Sequence, residues 1–131
     1  MIPRDKERAA YYECRESWGG ATMRQGTGEF YPDGKDAYAV TTGDTFSINE
    51  NSSLAAFMRA VDKVAEDYPD ATYIGVFHDD VKHTIDVNPV EVLNSRDEVD
   101  AFAETHTIIG GAYHFATGDG YWPQGRPAEY K

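Results

Sequence analysis

Cysteine is nearly absent: Cys14 stands alone, so no internal disulfide can form and stability must come from packing. Basic residues are also scarce, with 12 Lys and Arg against 23 Asp and Glu and a formal net charge of −11. Proteins bind nucleic acid largely by displacing its counterions with Lys and Arg clusters, and this chain has none, which argues against direct DNA or RNA binding. No stretch reaches the roughly 18 uninterrupted apolar residues that a membrane helix requires, and no basic amphipathic helix is present to lie on anionic lipid. A membrane role is therefore not expected. No apolar run of signal-peptide length follows Met1-Ile2-Pro3-Arg4-Asp5-Lys6, which with the lone cysteine leads us to expect a protein of the reducing cytoplasm.

The familiar chemical motifs are missing too. Gly26-Thr27-Gly28 and Gly118-Asp119-Gly120 belong to no GxxxxGK[ST] or GxGxxG pattern and read as turns. Asp33-Gly34-Lys35-Asp36 lacks the ligand spacing of a calcium loop. Cys14 has Glu13 and Glu16 as neighbours, and negative charge opposes thiolate formation, so an inert cysteine is expected. No cofactor is expected.

What the chain does have is one domain's worth of residues and many aromatics, nine Tyr and six Phe among 131 positions, enough to fold without metal or disulfide support. A single domain over residues 1–131 is expected. Its N-terminal segment, 1–36, reads as irregular, its core, 37–106, as regular, and its tail, 107–131, as rich in Gly, Pro and aromatics.

In the core, Leu54, Phe57, Met58, Val61, Val64, Ala65 and Tyr68 recur at three and four residue intervals, which predicts a helix from Ser52 to Tyr68. Asn51, Ser52 or Ser53 can cap its start and Pro69-Asp70 ends it. Ahead of it, Tyr38–Thr42 and Phe46–Ile48 flank Gly43-Asp44-Thr45, which reads as a β-hairpin pairing Thr42 with Phe46 and placing Tyr38, Val40, Phe46 and Ile48 on one face. A second hairpin is expected from Thr72–His78 and His83–Val87, with His78 opposite His83, so that Ile74, Val76, Ile85 and Val87 share the core face. Asn88-Pro89 should end that strand.

A short helix, Arg96 to Glu104, follows, capped by Ser95 with Glu98 three residues on. A last strand near Thr107–Phe115 and an N-terminal helix within Arg4–Trp18, on the stripe Ala10, Cys14, Trp18, complete the expectation. The order is ββαββα, an α+β fold whose antiparallel sheet is built from two hairpins with helices packed on one face.

Three functional readings follow. In the leading one, Asp97, Asp100 and Glu104 fall on one face of the short helix, with Glu98 and Glu91 extending the patch. This non-enzymatic acidic interaction domain engages a basic protein surface, with Tyr121 and Trp122 as aromatic anchors. Its sharpest version is an inhibitor or nucleic-acid mimic occupying the basic groove of a nucleic-acid-binding protein. Small acidic counter-defence proteins of phages and mobile elements are similar in size and composition, without a shared motif.

The second reading is a metal-dependent hydrolase using His78, His83 and Asp80, since imidazole and carboxylate suit zinc; it needs another ligand, from His106 or His114. The third is a structural or assembly subunit that associates with copies of itself.

Overall fold

The computed structural model describes residues 1–108 and 111–130. Its elements are α1 (Arg4–Glu13), β1 (Gly20–Arg24), β2 (Tyr38–Thr41), β3 (Phe46–Asn49), α2 (Leu54–Asp67), β4 (Tyr73–Asp79), β5 (Thr84–Leu93), α3 (Arg96–Ala103), β6 (Ala112–His114) and β7 (Gly120–Tyr121), with a 3-10 turn over Ala128–Tyr130. Among the described residues the strands form one antiparallel sheet in the order β1-β4-β5-β2-β6-β7, with β3 also against β5. The α+β class and antiparallel sheet are as the sequence implies. Of the expected terminal strand, Thr107–Phe115, Ala112–His114 is the part that pairs among the described residues; Ile109 and Gly110, like Lys131 of the tail, lie outside them.

Helix boundaries follow local chemistry. Ser53 Oγ accepts from Ala56 N at 3.2 Å and caps α2, while Ser95 Oγ accepts from Glu98 N at 3.2 Å at the start of α3. Glu98 reaches back to the backbone N–H of Asn94 at 2.5 Å, one residue outside the usual reciprocal cap. The N-terminal helix stops at Glu13 rather than reaching Trp18. The chain then reverses and contributes β1, a strand within the segment expected to be irregular.

The first expected hairpin does not form. β2 and β3 do not pair with each other; both lie antiparallel to the ten-residue β5, Tyr38–Thr41 against Val90–Leu93 and Phe46–Asn49 against Thr84–Val87. Gly43-Asp44-Thr45 forms a bulge between them instead of a hairpin turn, with Asp44 N donating to Tyr68 Oη at 2.9 Å. A Cβ at Gly43 would fall 2.5 Å from the Tyr68 ring, so glycine is what lets the bulge sit there.

The same bulge explains why Asn88-Pro89 does not end β5, as it was expected to. Thr42 N donates to the Pro89 carbonyl at 3.0 Å. In an antiparallel strand the N–H and C=O of one residue face the same side, so the N–H that Pro89 lacks would have faced the bulge, where no ladder bond is lost.

The second hairpin, β4–β5, is present with a shifted register. His78 pairs with Ile85 and Asp79 with Thr84, so His83 lies in the turn and not opposite His78. A shift of this parity leaves faces unchanged, and Ile74, Val76, Ile85 and Val87 are all buried in one cluster with Met23 of β1 and Phe57, Val61 and Val64 of α2. Tyr38, Val40, Val99 and Ala112 form a second cluster beneath α3. By register, both clusters lie on the same side of the sheet, and all three helices cover that side.

Candidate functional site

The opposite side of the sheet carries a broad concavity. Gly20 and Thr22 of β1, Gly75, Phe77 and Asp79 of β4, Asp86, Asn88 and Val90 of β5, Ala39 and Thr41 of β2 and Ser47 of β3 face it by register and line a groove of about 990 Å³. This is the volume of a ligand site. Gly75 keeps the floor open: a Cβ there would meet Val90 Cγ2 at 2.7 Å.

The two irregular ends of the chain make the walls. From the N-terminal third, Tyr31 packs on Phe115 at 4.4 Å and on Tyr73 at 5.9 Å between ring centroids. Trp18 packs on Phe77 at 5.8 Å and meets Tyr130 at 6.5 Å. From the tail, Trp122 lies 5.9 Å from Tyr130, and the Arg126 guanidinium sits 4.6 Å over the Trp122 ring. The tail therefore crosses the open face from β7 to the end of β4, where Tyr130 Oη donates to Asp79 Oδ2 at 2.6 Å. Burial and that bond to a carboxylate raise the Tyr130 phenol above its ordinary range, so it stays a donor at neutral pH.

The groove is lined with negative charge. Glu13, Asp33, Asp44, Asp79, Asp86 and Asp119 line it, against Lys82 and Arg126. Asp79 is fixed in place, its Oδ1 accepting from Val81 N and Lys82 N at 2.9 and 3.1 Å. Asp86 is largely buried in the floor, where Ser47 Oγ and Thr84 Oγ1 donate to its Oδ1 at 2.7 and 2.8 Å. Asp33, Asp44 and Asp119 are exposed at the rim. Carboxylates between aromatic faces favour a cation, by charge and by the ring quadrupoles together.

The acidic residues expected to form a contact patch on α3 are largely engaged within the chain. Glu91 Oε1 accepts from Thr72 N and Oγ1 at 3.2 and 3.0 Å, and Glu98 is committed to Asn94 at the helix start. Asp100 Oδ1 accepts from Tyr121 Oη at 2.6 Å, and the Arg96 guanidinium covers the Tyr121 ring at 4.5 Å. Asp97 and Glu104 are exposed. Tyr121 thus anchors the tail to α3, while Trp122 is a groove wall.

A second cluster gathers at the end of the sheet beside the β4–β5 turn. His78 Nδ1 lies 2.9 Å from the Cys14 carbonyl and Nε2 lies 2.9 Å from Glu50 Oε2. A carbonyl only accepts, so Nδ1 carries a proton. Burial works against charge on His78, but the bonds to Glu50 and to the carbonyl outweigh it and raise the imidazole above its ordinary value; the bond from His78 holds Glu50 below the usual carboxylate range. His83, in the turn with φ at +58°, places Nδ1 3.2 Å from Glu50 Oε1. One ligand atom each from Glu50, His78 and Asp80 lie within 4.8 Å of one another.

His106 and His114, the expected further ligands, are elsewhere: His106 stacks on Phe102 at 4.0 Å, and His114 stacks on Tyr38 at 4.3 Å and contacts Asp36. Glu50 takes the place they were expected to fill. Sequence reading missed it because Glu50 sits 28 residues from His78 in a loop with no ligand spacing. Cys14 is completely buried, and burial together with Glu13 pushes its thiol up to about 12, which makes it inert as a nucleophile.

Comparison with protein-family models, curated proteins and solved structures gave no match. The functional reading therefore rests on the geometry of the groove and the cluster.

Proposed function

We propose that the protein is a non-enzymatic binding domain that engages a basic segment of a partner protein through the groove on the open face of its sheet. The observation that carries this reading is the pairing of a carboxylate-lined floor and rim with aromatic walls in one concavity of about 990 Å³. A Lys or Arg side chain entering it meets Asp86 below and Trp18, Phe77 and Trp122 at the sides. The net charge of −11 extends the same preference beyond the groove, steering basic surfaces toward it and repelling polyanions. The partner is by this chemistry a protein with an exposed basic surface. A nucleic-acid-binding protein, inhibited by losing that surface, is the most specific form of the proposal.

Both tryptophans of the chain, Trp18 and Trp122, line the groove, so their fluorescence reports occupancy directly. An Arg/Lys-rich peptide is expected to change that fluorescence saturably, with an affinity that falls as salt is raised. Replacing the exposed rim residues Asp44 and Asp119 by Lys should weaken binding by about tenfold or more, with little change in melting temperature. The paired control replaces Asp97 and Glu104 by Lys on α3. If the control weakens binding and the rim variant does not, the contact face is α3 and the groove assignment is wrong.

A further inference from the structure

We propose that Glu50, His78 and Asp80, with His83 as the fourth ligand, form a binding site for one divalent transition metal of the zinc class. The site goes beyond the groove and lies at the end of the sheet, on the helix side of the β4–β5 turn. Four observations converge on it.

The first is donor orientation. His78 donates its Nδ1 proton to the Cys14 carbonyl at 2.9 Å and presents Nε2 toward Glu50. A metal-binding histidine is held in the same way, one ring nitrogen donating to a backbone carbonyl so that the other is aimed at the ion. The second is convergence from separate segments: Glu50 follows β3, His78 is the last residue but one of β4 and Asp80 lies in the turn, yet their ligand atoms lie within 4.8 Å of one another. Ligands at zinc distances in a tetrahedral site are about 3.4 Å apart, so closure draws these donor atoms together by about 1.4 Å or less.

The third is support behind the ligands. Ser17 Oγ donates to Asp80 Oδ1 at 3.1 Å, and Glu50 N donates to the His83 carbonyl at 3.1 Å, tying the two loops together. The fourth is the backbone of His83. Its φ of +58° is a left-handed conformation that a non-glycine residue adopts at a cost, and its Nδ1 lies 3.2 Å from Glu50 Oε1. That side chain is 68% exposed, free to turn onto an ion held by the other three.

Ligand chemistry selects the metal. Two imidazoles and two carboxylates suit zinc or its borderline neighbours, whereas magnesium and calcium require mostly oxygen donors and more of them. Bound there, the ion would tie the segment after α1, the loop before α2 and the β4–β5 turn into one unit.

Metal-stripped full-length protein titrated with zinc chloride is expected to bind one ion with micromolar affinity or better. Zinc in large excess over its Kd should raise the melting temperature by about 5–10 °C, and magnesium or calcium at the same concentration should not. Cobalt(II) in the same site should give the visible absorption of a tetrahedral nitrogen/oxygen environment. Asp80→Asn and His83→Asn should each weaken zinc binding at least about tenfold while leaving the metal-free melting temperature unchanged, since both positions are exposed and asparagine tolerates the left-handed backbone at residue 83. His106→Ala serves as the control for binding by surface imidazoles elsewhere. No zinc-dependent shift, or zinc binding that survives both turn variants or is lost in His106→Ala, overturns the proposal.

Discussion

Phe57→Ala is expected to lower the unfolding free energy by about 3–5 kcal/mol, the range for emptying a large aromatic from a closed core. Phe57 is completely buried in the cluster that joins α1, α2 and the sheet, and Tyr11 of α1 meets its ring edge-on at 5.3 Å. Truncation leaves a void bounded by two helices and a sheet, and none of these can collapse into it without giving up other contacts. Domains of this size are stable by about 5–15 kcal/mol, so the variant should sit near the threshold of folding. Urea denaturation should show a lower midpoint with an unchanged slope. A loss below about 1 kcal/mol would mean that α2 does not seal the core in the way its stripe implies.

Glu7→Gln should act in the opposite direction, and only at higher pH. Glu7 is completely buried in α1; Arg4 Nη1 donates to its Oε1 at 2.8 Å and to Asp62 Oδ2 at 2.8 Å, while Oε2 has no hydrogen-bond partner among the described residues. Burial, followed by the neighbouring Asp62 carboxylate, pushes the Glu7 carboxyl up to about 7, with Arg4 opposing in part. A proton on Glu7 removes the buried charge and gives the carboxyl a donor beside Asp62, so the folded state favours the neutral form below about 7. Between the ordinary value of 4.5 and about 7 the folded chain binds more protons than the unfolded one. Stability therefore falls as pH rises through that window and is fully restored, as far as this group is concerned, below it.

Glutamine keeps the oxygen that faces Arg4 and supplies an N–H donor without titrating. We expect Glu7→Gln to match the parent near pH 4 and to exceed it by about 1–2 kcal/mol near pH 8. Thermal melts of both proteins across that range provide the check. A stabilisation that does not change with pH, or a destabilisation near pH 8, would remove the buried-carboxylate account.

Much of the fold was legible because hydrophobic periodicity reports which side of an element is covered. The α2 stripe, a capped start within Asn51–Ser53 and the Ser95 start emerged from local chemistry alone. So did the shared face of Ile74, Val76, Ile85 and Val87, which survived a register error because alternation fixes parity and not partners. The same limit explains the failed hairpin. Tyr38, Val40, Phe46 and Ile48 lie on one face whether β2 pairs with β3 or both pair with β5, so no pattern within residues 38–48 could choose between them. The choice belongs to β5, whose extra length past Pro89 supplies partners to both strands.

The candidate sites were less legible, for a related reason. The aromatics of the two ends were visible in the sequence, but what they enclose depends on a tail crossing from β7 to Asp79 and on a loop carrying Tyr31 to Phe115. The groove's six carboxylates come from six separate segments, which only the folded sheet and the two ends of the chain bring together. His78, Asp80 and His83 were recognisable as donors from their residue types around one expected turn, although the expected pairing of His78 with His83 did not hold. Glu50 was not, because only the pairing of β3 with β5 brings the loop after β3 to the turn before β5.

By itself, then, the sequence determined the scarcity of positive charge, the places of α2 and α3 and the buried side of β2, β3, β4 and β5, the last two being properties of residues within a turn or two of one another. The tertiary structure decided that the acidity with a receptive shape lies in the groove opposite the helices, and that two histidines and two carboxylates meet at one turn. Both are consequences of long-range strand pairing, and pairing is chosen by the whole sheet competing for the same backbone partners rather than by any one segment.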